Sequence, residues 1–297
     1  MSSVHNSPPS YLEKIRMFIA RMPSLSTTVT KVVETCNNPR SSPNDLNRVI
    51  SLDPVLTGKV LKLVNSAYYS LREPVASTTR AIIMLGINTV KNLALSTAIL
   101  EAMQGSRSFG LFSVDDFWAH SLCVGVTAKS LAAAQGVPLA AREEYFVAGL
   151  LHDLGKIPLN KQFPDEYFRA LDWARTKREP LLQAENAAFG FDHCTVGRLI
   201  AEKWQLGHNL IASFAYHHQP QAAADEDRPF VALLALANLF ANWSKLGASG
   251  DNFADTALAN DLLEQIGCSW ASLANLRDTV AEEIEKAKIF LRLSQDG

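Results

Sequence analysis

The sequence predicts an all-α protein: an N-terminal helical bundle followed by a second helical core. Three observations carry this. Glycine (15) and proline (13) are scarce in 297 residues, below the usual combined ~12%. Alanine, the strongest helix former, supplies about one residue in eight. Apolar residues recur at helical spacing, and no run of alternating apolar and polar residues suggests a sheet.

Taken in order, residues 1–10 are polar, contain proline and read as a flexible leader. Residues 11–106 form the first helical unit. Asp53-Pro54 is a start signal, because Asp caps free backbone N–H groups and Pro suits the first helical position. Leu56, Val60, Leu63, Val64 and Ala67 then fall on one apolar face, with Lys59, Lys62 and Asn65 elsewhere. A helix over 77–85 ends at Gly86, and another runs from about Asn88 to Met103. Residues 104–112, QGSRSFGLF, lack periodicity and mark the junction to the second unit, 107–297. Ser113 with Asp116 three residues on is a capping box, and its helix carries His120 on an early turn. Further helices are predicted over 141–152, 193–204, 207–217 and 229–245, with a polar loop at 219–228. The last segment, about 270–293, places Leu273, Leu276, Val280, Ile284 and Ala287 at helical spacing.

Hydrophobic residues at 47% and a net charge of -2 exclude a disordered chain. They also leave no basic field for nucleic acid or an anionic membrane. The cysteines at 36, 123, 194 and 268 include no CxxC pair, which argues against a zinc ribbon or a disulfide framework. Cys123 and Cys194 read as small core residues. No apolar run is long enough to span a bilayer, and the N-terminus lacks a signal-peptide pattern. The sequence therefore reads as that of a cytoplasmic protein.

The chemistry concentrates in histidine. His152-Asp153 follows an apolar helical run in LLHDLGKIPL. His120, His193, His217 and His218 all fall near predicted helix ends. Imidazole suits transition metals, and a carboxylate such as Asp153 can bridge two of them. Lys156 sits where an ammonium can meet a phosphate oxygen. Singly, each histidine reads as an ordinary surface or core residue, and His5 and His208 stay in that class.

Several blocks resemble the HDOD family, the HD-related output domains of bacteria. MPSLSTTVTKVVET at 22–35 is similar to the family's opening, with Ser26 where Pro is common. NDLNRVISLDPVLTGKVLKLVNSAYYS at 44–70 resembles its most recognisable block, and TTRAIIMLGINTVKNLALSTAI at 78–99 the next. The likeness continues through LLHDLGKI and covers about residues 15–285. It implies an all-helical fold with an HD phosphohydrolase-like core in the second half.

The resemblance also implies a ligand pattern. The early His matches His120 in FWAHSL, the HD pair is His152-Asp153, and the later His is His193 in HCTVG. The double His is His217-His218, and Lys156 matches the Lys of HDxGK. Where the pattern has a final Asp, this chain has Asn238, a weaker and uncharged donor. The loop after His218 lacks the GYP motif of cyclic-di-GMP phosphodiesterases. The expectation is a signalling output module that works through partner proteins or ligand sensing. The alternative is a metal-dependent phosphohydrolase acting on a nucleotide or other phosphoester, with Asp153 and Lys156 catalytic. One or two divalent transition-metal ions are expected, iron ahead of Mg, because most donors are imidazole.

Overall fold

The computed structural model describes residues 10–38, 40–103, 110–251, 253 and 255–295. Residues 1–9 of the expected leader and most of the 104–112 junction lie outside these, while Ser10, the last residue of that leader, caps α1. Among the described residues there is no β-strand. The first half holds α1 (Tyr11–Arg21), α2 (Thr27–Asn37), α3 (Pro43–Ile50), α4 (Pro54–Val64), α5 (Thr78–Leu85) and α6 (Ile87–Ala102). The second half runs through α7 (Val114–Ala134), α8 (Leu139–Leu151), α9 (Lys156–Gln162), α10 (Pro164–Lys177), α11 (Leu181–Phe189) and α12 (His193–Lys203). It finishes with α13 (His208–Tyr216), α14 (Arg228–Ser244), α15 (Thr256–Ile266), α16 (Trp270–Ala287) and α17 (Ile289–Gln295).

Local chemistry sets many of the helix starts. Asp53 Oδ1 accepts from the Leu56 backbone N–H at 2.9 Å, and Pro54 opens α4. Ser113 and Asp116 form the reciprocal capping box that starts α7. Each satisfies backbone donors that the first helical turn leaves free. Leu56, Val60, Leu63 and Val64 are buried as their spacing requires, but Ala67 is exposed and outside the helix. Asn65 is the reason: its side chain donates to Leu61 O and Val75 O and accepts from Val75 N–H, which turns the chain away. The predicted C-terminal helix is also divided, into α16 and α17 at Lys288.

One hydrophobic core runs from Ile15 in α1 to Leu293 in α17. Helices α7 and α8 form its centre, with α14 packed on both and α6 packed on α8. A polar clamp adds to this contact: Lys129 of α7 donates to Glu143 of α8 at 2.7 Å and to Tyr68 Oη at 2.9 Å. At the far end of α12, Lys203 Nζ donates to the carbonyls of Ile19, Ala20 and Met22 at 2.7–2.8 Å. Trp204 Nε1 donates to Pro23 O at 3.1 Å. No single helix among the described residues is long and apolar enough to cross a membrane. The pair α5–α6 meets that test only when taken together, and it bends by 117° at Gly86.

Candidate metal centre

Two glycine contacts assemble the site. Where α7 crosses α8, a Cβ on Gly149 would lie 2.5 Å from Gly125 Cα, so the helices touch backbone to backbone. That crossing brings His120, on the second turn of α7, beside His152 at the C-terminal end of α8. The chain then turns through Asp153 to Gly155. A Cβ on Gly155 would lie 1.9 Å from the His193 carbonyl oxygen. Only glycine therefore lets the N-terminus of α12 approach Asp153. His217 caps α13, His218 follows it, and Asn238 sits within α14.

Asp153 lies at the centre. Its Oδ2 is 3.3 Å from His152 Nε2 and 3.8 Å from His120 Nε2. Its Oδ1 is 3.3 Å from His193 Nε2 and 3.6 Å from His217 Nε2. Each carboxylate oxygen thus faces two imidazoles. The rings are held from behind: His152 Nδ1 meets Gly149 O at 2.7 Å, His217 Nδ1 meets Ser213 O at 3.0 Å, and His193 Nδ1 meets Glu185 Oε2 at 2.6 Å. A carbonyl only accepts, so Nδ1 of His152 and His217 carries the proton. Orienting bonds of this kind are typical behind metal-ligating histidines. Lys156 Nζ donates to Asp153 Oδ2 at 2.7 Å and to Ser249 O at 3.0 Å. All of these side chains except His218 are essentially inaccessible to solvent.

Burial dominates the electrostatics at His120, whose pKa is pushed down to about 3, and at His218, which falls well below the usual imidazole value. Burial also lowers His152, despite its neighbour Asp153. Burial works against the Asp153 anion, but the Lys156 ammonium on Oδ2 holds the carboxyl well below its ordinary range. At His193 burial is overcome by the Glu185 carboxylate, which lifts the ring well above its usual value. At His217 burial is overcome by Cys194 and Asp153, and the pKa rises to about 9.

The donors suit a metal ion. A neutral His152 with its proton on Nδ1 aims the Nε2 lone pair at an anionic oxygen, a repulsive contact that a cation between them would reverse. His120 Nε2, His152 Nε2, His218 Nε2, Asp153 Oδ1 and Asn238 Oδ1 are buried without hydrogen-bond partners, a concentration that ordinary cores avoid. Nitrogen ligands ~2.1 Å from a tetrahedral ion lie ~3.4 Å apart, close to the observed spacings. The donors divide into His120, His152 and Asp153 on one side and His193, Cys194, His217 and His218 on the other.

Every sequence-predicted site residue comes together here, Asn238 included. His208 is exposed, 3.6 Å from Asp227, and His5 lies outside the described residues. Sequence reading missed Glu185, Ser249, Asp251 and the placement of Cys194. Asp251 is buried near Lys156, and its carboxyl is raised chiefly by burial.

The family model for the HDOD domain matches residues 22–220. The chain belongs to the HDOD family. That match takes in all five site histidines, Asp153 and Lys156, and stops short of Asn238. An HDOD domain protein of unknown function from Geobacter sulfurreducens is 26% identical, with a TM-score of 0.72 and coverage of 93% of this chain and 95% of that one. A candidate phosphohydrolase from Shewanella amazonensis shares the HDOD chain's fold at 22% identity, with a TM-score of 0.70 and coverage of 94% and 97%. An uncharacterized protein of Treponema pallidum is 25% identical over 222 residues, 73% of this chain and 42% of that protein. The HDOD chain therefore spans about two fifths of the length of that curated relative.

Proposed function

We infer that this HDOD chain is a signalling module whose HD pocket holds a transition metal as a structural or sensing element, and which acts through partner proteins. The observation that carries the metal is Asp153, set between four imidazoles, three of them held from behind, with each oxygen facing two of them. His120, His152, Asp153, His193, His217 and His218 would hold one or two ions, with Asn238 a weak further donor. Iron fits an imidazole-rich set better than Mg.

The output role rests on the family and on how deeply Asp153 and Lys156 are buried. Two-metal hydrolysis needs water and a phosphoester at the bridging carboxylate. Here Lys156 is engaged by Asp153 and the Ser249 carbonyl, both buried, and Asn238 brings no charge. The alternative, a metal-dependent phosphohydrolase acting on a nucleotide or other phosphoester, is favoured by one feature: Lys156 stands beside Asp153, where it would steady a phosphate if freed.

Metal analysis of the purified protein, with a panel of phosphoesters, tests the reading. The expected result is stoichiometric iron or a related metal, reduced in His152→Ala, and no turnover above the Asp153→Ala background. Protein without metal, and with uptake unchanged in His152→Ala, would refute the metal site. Hydrolysis abolished by Asp153→Ala would replace the signalling role with an enzymatic one.

A further inference from the structure

We propose that Cys194 is a thiolate ligand of the second metal position, with His193, His217 and His218, which makes that position selective for a thiophilic divalent ion. The proposal rests on the metal-binding reading above and adds the donor that sets its selectivity.

Cys194 is the second residue of α12, directly after His193, and is buried. Its Sγ lies 3.9 Å from both Nδ1 and Nε2 of His217. A sulfur ~2.3 Å and a nitrogen ~2.1 Å from one tetrahedral ion stand ~3.6 Å apart. One ligand atom from each of His193, Cys194, His217 and His218 lies within 4.8 Å of the other three. An independent observation marks the same place. Asp153 Oδ1 is buried without a hydrogen-bond partner and faces His193 Nε2 at 3.3 Å and His217 Nε2 at 3.6 Å.

Charge separates the two positions. At the first, Asn238 supplies no charge and Lys156 already occupies Asp153 Oδ2. At the second, Asp153 Oδ1 is open, Glu185 stands behind His193, and a thiolate would add a full negative charge. Soft thiolate favours zinc, iron(II) or cobalt(II) over magnesium and manganese. Three imidazoles and one thiolate fill four positions, and Asp153 Oδ1 faces the same place. Closed shells are the rule for structural sites, whereas catalytic sites keep a position open. The second position would then bind tightly without offering a hydrolytic water.

The test is anaerobic titration of the full chain with cobalt(II). The expected wild-type result is visible d–d absorption, together with a near-ultraviolet thiolate-to-cobalt charge-transfer band that saturates with it. Cys194→Ser should keep the d–d bands, lose the charge-transfer band and bind cobalt at least ~10-fold more weakly. X-ray absorption of the unsubstituted protein should show a sulfur scatterer at ~2.3 Å, a readout independent of how the variant folds. Cobalt bound with d–d bands but no charge-transfer band, or a band that survives in Cys194→Ser, overturns the thiolate ligand alone. No cobalt binding, or d–d bands undiminished in His217→Ala, overturns the metal centre and this proposal with it.

Discussion

Gly155→Ala should damage stability and the pocket together. The added Cβ would sit 1.9 Å from the His193 carbonyl oxygen and 2.7 Å from Gly197 N. Close carbon–oxygen contacts lie near ~3.3 Å, so the N-terminus of α12 must retreat by more than ~1 Å. Both opposing atoms are backbone, so no side chain can rotate away. Overpacking of this kind costs about 1–3 kcal/mol, and the absence of a flexible neighbour puts this site at the upper end. At ~2–4 °C per kcal/mol for a chain of somewhat smaller size, the melting temperature should fall by roughly 6–12 °C. The same retreat carries His193 Nε2 away from Asp153 Oδ1, now 3.3 Å distant, so metal affinity should fall as well. Urea denaturation at a common slope gives the first quantity, and chelator competition on the folded variant gives the second. A denaturation midpoint and metal affinity both equal to wild type would refute the claim that this glycine sets the approach of α12.

Asn238→Asp should raise metal occupancy at the first position, seen as a second equivalent in metal analysis. It should also lower the melting temperature of the metal-free protein, because a second carboxylate is buried near Asp153; unchanged occupancy removes Asn238 from the site. Glu143→Ala leaves Lys129 and Tyr68 without their shared partner and should cost ~2–3 kcal/mol in urea denaturation. Asp192→Ala removes the cap that accepts from Thr195 N–H at 2.8 Å and should cost about 1 kcal/mol at pH 7. Burial raises the Asp192 carboxyl, but His193 and the Thr195 bond outweigh it, so the folded pKa lies below its ordinary value. The stabilisation is therefore complete above the unfolded value of ~3.9 and is lost as pH falls through the folded one. The gap between wild type and Asp192→Ala should close only below about pH 4, and a gap that narrows between pH 7 and pH 5 would contradict the assignment.

Much of this architecture was legible along the chain because its causes are local. Asp53-Pro54 and the Ser113–Asp116 box start helices through groups three residues apart, and spacing alone exposes them. The site histidines and Asp153 were also readable, through motif resemblance. What escaped depends on contacts distant in sequence. Ala67 looks like the next rung of an apolar face until Asn65 bonds to Val75, ten residues on. Glu185 reaches His193 across the turn between α11 and α12, a spacing with no motif attached. Ser249 meets Lys156 from 93 residues away. Cys194 reads as a small core residue because the partner that gives it chemical meaning, His217, belongs to another helix. Gly155 was visible within HDLGK, but the backbone contact that requires it was not.

Helix α12 links two regions that the chain keeps far apart. Its first residue, His193, faces Asp153, and ten residues later Lys203 gathers three carbonyls at the end of α1. At ~1.5 Å per residue the helix is a rigid bar ~16 Å long. A bar anchored at both ends does not absorb displacement in the middle. A tilt of ~5° at the pocket would move its far end by more than ~1 Å over that length, at the point where the N-terminal helices are tied down. His193 at the pocket and Lys203 at the α1 anchor thus belong to one rigid element, so neither can shift alone without bending the helix between them.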